Sequence, residues 1–297
     1  MLTGILAGLA AGALWGLVFV APLMAPSFSA LDFTAGRFLS YGALSLGLML
    51  LLRTSRWPTS QQALAACGLS LLGFTGYYLL LVLAIRDAGT EVPSLIIGTI
   101  PLWMMLLGKP AGLRWGTLLP GLLLTLLGLA LMMRASSGAV AADGSGVYFW
   151  RGVGFALAAM VCWTAFGLLN AAWLKKHSEV NATTWANWLG VATGLGALLL
   201  WLLAGTDVEQ LQRTPGLVPA VVLAVATGIG SAWLATILWN IASQRLSASL
   251  CGQLIVSETI FALVYAFIWK GALPSLLQGM ACLFFVAGIL ASIRAHR

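Results

Sequence analysis

Arg134-Ala135-Ser136-Ser137-Gly138-Ala139-Val140-Ala141-Ala142-Asp143-Gly144-Ser145-Gly146-Val147-Tyr148-Phe149-Trp150 is the longest polar stretch in the chain. Its Ser, Gly and Asp content is that of a flexible linker. On either side the sequence breaks into apolar runs of about the 20 residues that one membrane-spanning helix needs. Five runs precede the linker, at 3–22, 30–52, 62–85, 90–108 and 113–133. Five follow it, at 151–174, 181–204, 217–243, 247–269 and 273–293. The runs are continuous rather than alternating, and an open sheet edge has no place in hydrocarbon, so helices are predicted throughout. The expected fold is an all-α membrane protein of ten transmembrane helices. Residues 1–133 form the first half, 134–150 the linker and 151–297 the second half.

Composition forces the same reading. Of the 297 residues 61% are hydrophobic and 8% charged, with a mean hydropathy of +0.99. A soluble domain carries about a quarter of its positions as charges, so this exterior has to face a lipid bilayer. The net charge of +7 comes from basic residues scattered singly between the runs, with no cluster beside stacking aromatics, which excludes a nucleic-acid surface. They act instead as topology signals. With the N-terminus inside, Arg53, Arg56, Lys109, Arg114, Lys175, Lys176, Arg245, Arg294 and Arg297 lie on the inner side. Arg86, Arg134, Arg151, Arg213 and Lys270 lie on the outer side, which predicts both termini in the cytoplasm of a bacterial inner membrane. Met1-Leu2-Thr3-Gly4 lacks the charged start of a signal peptide, so the first run is expected to be retained as a helix.

Cys67, Cys162, Cys251 and Cys282 sit in apolar runs without metal-ligand spacing, and His177 and His296 fall in a loop and the tail. Nothing implies a metal or any other cofactor. An enzyme needs a nucleophile, a base or metal ligands held together; none is placed in the membrane centre, and there is no phosphate loop of the GxxxxGK[ST] form to drive an ATP pump.

The first run carries Gly4, Gly8, Gly12 and Gly16, one every four residues. Aligning Trp15 with Trp163 sets Gly152, Ala156, Met160 and Thr164 opposite them. Such stripes let backbones approach closely in lipid, within one chain or between chains; the oligomeric state stays open, and a monomer is compatible with the pattern. Because five is odd, two such halves enter the membrane in opposite orientations. That is the inverted-repeat plan of many secondary transporters, with a site near the midplane and alternating access by rocking of the halves.

Ala13-Leu14-Trp15-Gly16, its echo Val161-Cys162-Trp163-Thr164, the stretch Ala84-Ile85-Arg86-Asp87-Ala88-Gly89 and the mid-membrane Ile100-Pro101-Leu102 resemble the drug/metabolite transporter superfamily, EamA type. The resemblance extends over the whole chain. Ser257-Glu258-Thr259, standing in the ninth run where the first half has Pro101, is similar to the aromatic amino acid exporters of the YddG type. The resemblance implies export of amino acids, aromatic and other large neutral ones.

Glu258 is the sharpest single signal. It lies thirteen residues after Arg245 and twelve before Lys270, near the bilayer centre. A carboxylate there costs about 2.5–3.5 kcal/mol on insertion scales. It couples protons, binds an ammonium, or is a protonated structural acid bonded across helices. Gln253 and Ser257 are four apart beside it, ready for a substrate or for interhelical bonding. Arg37 lies about two turns into the second run from Asp32, ahead of Tyr41; it clamps a substrate carboxylate or snorkels outward, and its shallow depth favours snorkelling. Trp57, Trp115, Trp150 and Trp269 sit at run ends as interfacial anchors. Trp15, Tyr77, Tyr78, Trp103, Trp163, Trp233 and Trp239 lie deeper. A cavity walled by Trp15, Tyr77, Tyr78, Trp163 and Trp239, with Gln253, Ser257 and Glu258, would hold an aromatic or apolar side chain. Lipid contact or packing is the plain alternative for any one of these rings. Asn170, Asn187 and Asn240 are also intramembrane, and Asn240 closes a packing stripe with Gly228, Ala232 and Thr236. The competing function is efflux of lipophilic cations or other metabolites, with Glu258 and the tryptophans as a cation cage.

Overall fold

The computed structural model describes residues 1–51, 56–89, 91–136, 147–271 and 273–296, and among them no strand occurs. Ten apolar helical segments follow one another: α1 (Leu2–Met24), α2 (Ala30–Leu51), α3 (Ser60–Ala88), α4 (Glu91–Gly98 continued by Ile100–Leu107) and α5 (Trp115–Ser136) in the first half. The second half holds α6 (Val147–Lys176), α7 (Ala182–Ala204), α8 (Leu217–Arg245), α9 (Ala248–Lys270) and α10 (Leu276–Ala295). Among the described residues nine are long and apolar enough to cross a membrane, and α4 is the shorter one, apolar over Val92–Leu107. The linker's centre, 137–146, lies outside the described residues, as do Arg53 and Arg297. Its flanks are helical, with α5 running on to Ser136 and α6 starting at Val147.

Local sequence explains the boundaries. Thr59 Oγ1 accepts from the Gln62 N–H while the Gln62 side chain accepts from the Thr59 N–H, and Ser275 with Gln278 repeats the arrangement at α10. Asn181 and Ser247 each cap a helix by accepting one N–H. Gly271, at φ 61°, closes α9 in the left-handed region that glycine enters freely. The break in α4 belongs to Pro101, which brings no N–H to the first turn of Ile100–Leu107. Thr99, between the two pieces, turns its hydroxyl back onto the Ile96 carbonyl at 2.6 Å. No proline interrupts α9, and it is continuous. Both α3 and α8 contain a π turn, Leu71–Thr75 and Gly228–Leu234, which rotates the faces beyond it relative to those before.

Close backbone approach organises the packing. The Gly4, Gly8, Gly12, Gly16 stripe of α1 lies on α9 within the chain: Gly4 meets Leu246 just before α9, Gly8 Leu254, Gly12 Ser257 and Gly16 Phe261 and Ala262. The two helices are therefore parallel. Helices α2 and α7 cross antiparallel at Gly42 and Gly194, where a methyl added at Gly42 would stand 2.6 Å from the Gly194 Cα. Tyr41 completes that seam by donating to the Ala186 carbonyl at 2.6 Å. Helix α4 runs antiparallel to α9, with Gly252 on Met104 and the Gly108 carbonyl accepting from the Ser249 N–H at 3.1 Å. Helix α5 runs antiparallel to α10, Gly121 on Ser292 and Gly128 on Phe285.

Polar residues pin the helix ends. Asp32 accepts from the Thr206 N–H and hydroxyl at 2.9 and 2.6 Å and from Trp201 Nε1 at 3.2 Å, tying α2 to the end of α7. Asp87 on α3 pairs with Arg86 at 3.1 Å and with Arg151 of α6 at 2.6 Å.

Burial changes abruptly along α9. Every residue from Ser249 to Ser257 is buried, and none from Glu258 to Trp269 is. Residues 76–83 of α3 are likewise partly accessible on all sides. A helix flanked by lipid on one side and packed protein on the other keeps one face buried. These outer segments keep none. The sealed half is the one holding both chain ends, since Gly4 lies against Arg245 and Leu246 at the start of α9.

Candidate functional site

Three helices meet through their tryptophans. Trp15 of α1 and Trp163 of α6 lie edge to face at 6.1 Å, and Trp239 of α8 stands 5.4 Å from Trp15 and 6.1 Å from Trp163. Edge-to-face and tilted contacts of this kind contribute about 0.5–1.5 kcal/mol per pair beyond area burial. A file of rings continues from the triad: Trp163 to Phe166 at 5.9 Å, Phe166 to Phe74 at 5.4 Å, Phe74 to Phe38 at 5.9 Å and Phe38 to Tyr78 at 6.2 Å. Gly73, inside the π turn of α3, makes room for the Phe166 ring.

Arg37 of α2, Tyr77 and Tyr78 of α3 and Glu258 of α9 are each partly accessible. The Arg37 guanidinium stacks 4.8 Å over the Phe38 ring and its Nε is enclosed without a hydrogen-bond partner. The side chain thus turns inward rather than snorkelling, held over the Phe38 ring. No ion pair within 4.0 Å involves Arg37 or Glu258 among the described residues. The Arg37 carbonyl packs at 2.5 Å from where a Gly228 side chain would start, so the π turn of α8 backs this wall.

The expected site residues therefore separate. Trp15 and Trp163 come together in the triad, while Arg37, Tyr77 and Glu258 are partly accessible on α2, α3 and α9. Tyr78 joins the file of rings through Phe38 and gives its hydroxyl to the Ala30 carbonyl. Trp239 supports the triad from below, 1% exposed, with its Nε1 unpartnered. Gln253 is fully buried away from the opening: its Nε2 donates to Thr125 Oγ1 at 2.9 Å and its Oε1 accepts from Ser292 at 3.1 Å. Ser257 is buried under Gly12 and donates to the Leu254 carbonyl at 2.7 Å. The Gln253 amide bonds helix to helix, whereas the Ser257 hydroxyl bonds back within α9. Trp103 faces outward, 43% exposed, and Trp233 donates to Asn187 at 2.8 Å. Asn170 and Asn240 join α6 to α8, with Asn240 donating on to the Ala182 carbonyl of α7.

Phe74 and Phe166 escape a reading of the sequence, since uncharged rings in apolar runs carry no mark of where they point. The sealed half beneath the triad has its own signature. Met104 is wedged between Gly167 of α6 and Gly252 of α9, and Ser249 keeps a buried hydroxyl without a partner, as Trp239 keeps its N–H. A separate groove of about 390 Å³ opens on the flank where α1 and α9 part beyond Gly16, lined by Leu17, Val20, Ser231, Tyr265, Ile268 and Trp269.

Ten apolar helical segments around a core of rings define a polytopic α-helical membrane protein. The model of the EamA-like transporter family matches residues 2–134 and residues 150–294. The chain belongs to that family and is a membrane transporter. It is 31% identical to the inner membrane protein YtfF of Escherichia coli (strain K12) over 308 residues, 99% of this chain and 96% of that protein. The uncharacterized transporter YdfC of Bacillus subtilis (strain 168) is 24% identical over 262 residues, 84% of this chain and 77% of that one. A solved crystal structure, described only as that of a protein, shares the fold at a TM-score of 0.78 and 21% identity, over 98% of each chain.

Proposed function

We propose that the protein is an inner-membrane secondary transporter that exports amino acids, aromatic and other large neutral ones, by alternating access between two inverted five-helix repeats, residues 1–133 and 151–297. The observation that carries the substrate class is the tryptophan triad, built from both halves where the open and sealed parts of the molecule meet. Moving a phenylalanine side chain from water to such a wall is worth about 1.5–3 kcal/mol. At 1.4 kcal/mol per factor of ten, that favours phenylalanine over alanine by at least about tenfold.

The antiparallel pairing of α2 with α7, α4 with α9 and α5 with α10 supports the repeat, because a two-fold axis in the membrane plane pairs each helix with its own counterpart in this way. The family match to 2–134 and 150–294 supports it too. The change in burial at Glu258 supports alternating access, with one side closed and the other open. The likeness to an inner membrane protein supports the location, and the distribution of basic residues supports cytoplasmic ends.

The test is efflux and counterflow of labelled phenylalanine in proteoliposomes holding the purified chain. Saturable exchange that unlabelled tryptophan and leucine inhibit is the expected result; no exchange by protein of normal melting temperature ends the proposal. The cation-efflux reading rests on Glu258, whose backbone N–H lies under Gly12, one turn before Trp15. Ethidium efflux lost in Glu258→Gln, with phenylalanine exchange spared, decides for it.

A further inference from the structure

We propose that the groove between α1, α8 and α9 seats one acyl chain of a membrane phospholipid, lying along the membrane normal in the leaflet away from the chain ends. Its occupation is independent of what the transporter carries.

The groove follows from the sequence of α1. Gly8, Gly12 and Gly16 hold α1 against α9, and the next position in that register is Val20. A branched side chain there keeps the backbones apart, and the seam opens into a space of about 390 Å³. Helix α8 widens it. Its π turn, Gly228–Leu234, places Gly230 on the wall, where an added Cβ would meet nothing within 4 Å. The volume falls within the roughly 300–1,000 Å³ of sites that take whole ligands.

Depth, direction and lining identify the occupant. On α1 the groove runs from Leu17 to Met24, about 10 Å at the rise of a helix. That is about two-thirds of the hydrocarbon depth of one leaflet. It ends at Met24, the last residue of α1, and at Trp269, one residue from the end of α9, where an indole suits the headgroup level. The floor is buried, with Val20 and Ala21 on α1 and Thr227 and Ser231 on α8. The rim is open, with Leu17, Met24, Ile268 and Trp269 39%, 46%, 74% and 52% exposed, and it continues onto the exposed Val222 of α8. The space is therefore continuous with the lipid-facing exterior.

The chemistry of the walls excludes a charged occupant. Among the described residues no charged side chain lines the groove, and the Thr227 hydroxyl is committed to the Leu223 carbonyl at 2.7 Å. A zwitterionic amino acid seated here would give up the water around both its charges without a partner. A hydrocarbon chain gives up nothing of the kind and gains contact on three sides. Once filled, the groove holds α1 and α9 apart beyond Gly16.

The experiment places the full chain in liposomes of phosphatidylcholine doped with the same lipid carrying a diazirine midway along one acyl chain. After irradiation, adducts are located by peptide mapping. They should concentrate on residues 17–24 of α1 and 223–231 of α8. The comparison is the exposed ridge Leu195, Leu199, Leu202 and Leu203 of α7, in the same leaflet. An excess of at least about threefold is expected, because a carbene in the groove meets protein on three sides rather than one. In Gly230→Leu, which fills the space, the excess should vanish; Gly279→Leu, at a second glycine whose Cβ would meet nothing within 4 Å, should keep it. Equal adducts on the two faces of the natural protein overturn the assignment, and that comparison decides even where a variant fails to fold. An excess that survives in Gly230→Leu of normal melting temperature overturns it as well. So does a groove shielded from the probe in a chain that migrates as a dimer, which gives the space to a second copy.

Discussion

Gln253 and Glu258 are five residues apart on α9, and the structure gives them different work. The amide of Gln253 is committed to Thr125 and Ser292, so it joins α9 to α5 and α10. Gln253→Leu leaves those hydroxyls unpaired; hydrogen bonds across membrane helices contribute roughly 0.6 kcal/mol on average. We expect a melting temperature lower by a few degrees and an unchanged KM for phenylalanine exchange. Trp163→Ala should weaken exchange by about tenfold through the lost ring wall, whereas Trp57→Ala, 61% exposed at a helix boundary, should leave it within a factor of two or so. Equal losses at equal expression would contradict the division into cavity and interface rings. At this scale the sequence marks Glu258 clearly, because an acid near the bilayer centre has few uses. It marks Gln253 and Ser257 ambiguously, since the same polarity serves a ligand or a neighbouring helix and only the bond partner tells them apart.

At the scale of helices, apolar length and cap residues locate nine spans directly, and Pro101 announces the weak point of α4. The π turns in α3 and α8 have no such signal: one extra residue in a turn leaves an apolar run equally apolar. They matter because they decide which faces carry Tyr77 and the wall behind Arg37. Glycines divide in the same way. Gly42 touches Gly194 across the α2–α7 seam, and Gly47, five residues on, meets nothing within 4 Å. Gly42→Ala is expected to cost about 1–3 kcal/mol by overpacking and to lower the melting temperature. Gly47→Ala should raise it slightly, as alanine is favoured over glycine in a helix by up to about 1 kcal/mol. A shift of the same sign in both would show that the seam tolerates separation.

For the molecule as a whole, the count of ten segments and the linker's place between them are plain in the sequence, because hydrocarbon thickness fixes span length. Which stretches of the spans are sealed is not, since the same apolar residue types serve packed and lipid-facing positions. Cys251 offers a readout: it is fully buried in the sealed part of α9, beside the layer where Met104 plugs between two glycines. With Cys67, Cys162 and Cys282 replaced by serine, maleimide should react with Cys251 slowly at rest and about tenfold faster during phenylalanine exchange, as the population shifts towards the opposite conformer. A constant rate during active exchange would mean that this seam never opens.

The dry N–H of Trp239 and the dry hydroxyl of Ser249 bear on how firmly the sealed half is held. Each polar group shut away from water without a partner weakens the closure around it by about 1–3 kcal/mol. A seam so imperfectly glued is weakly held, and it is where the bundle should part most readily under heat or denaturant.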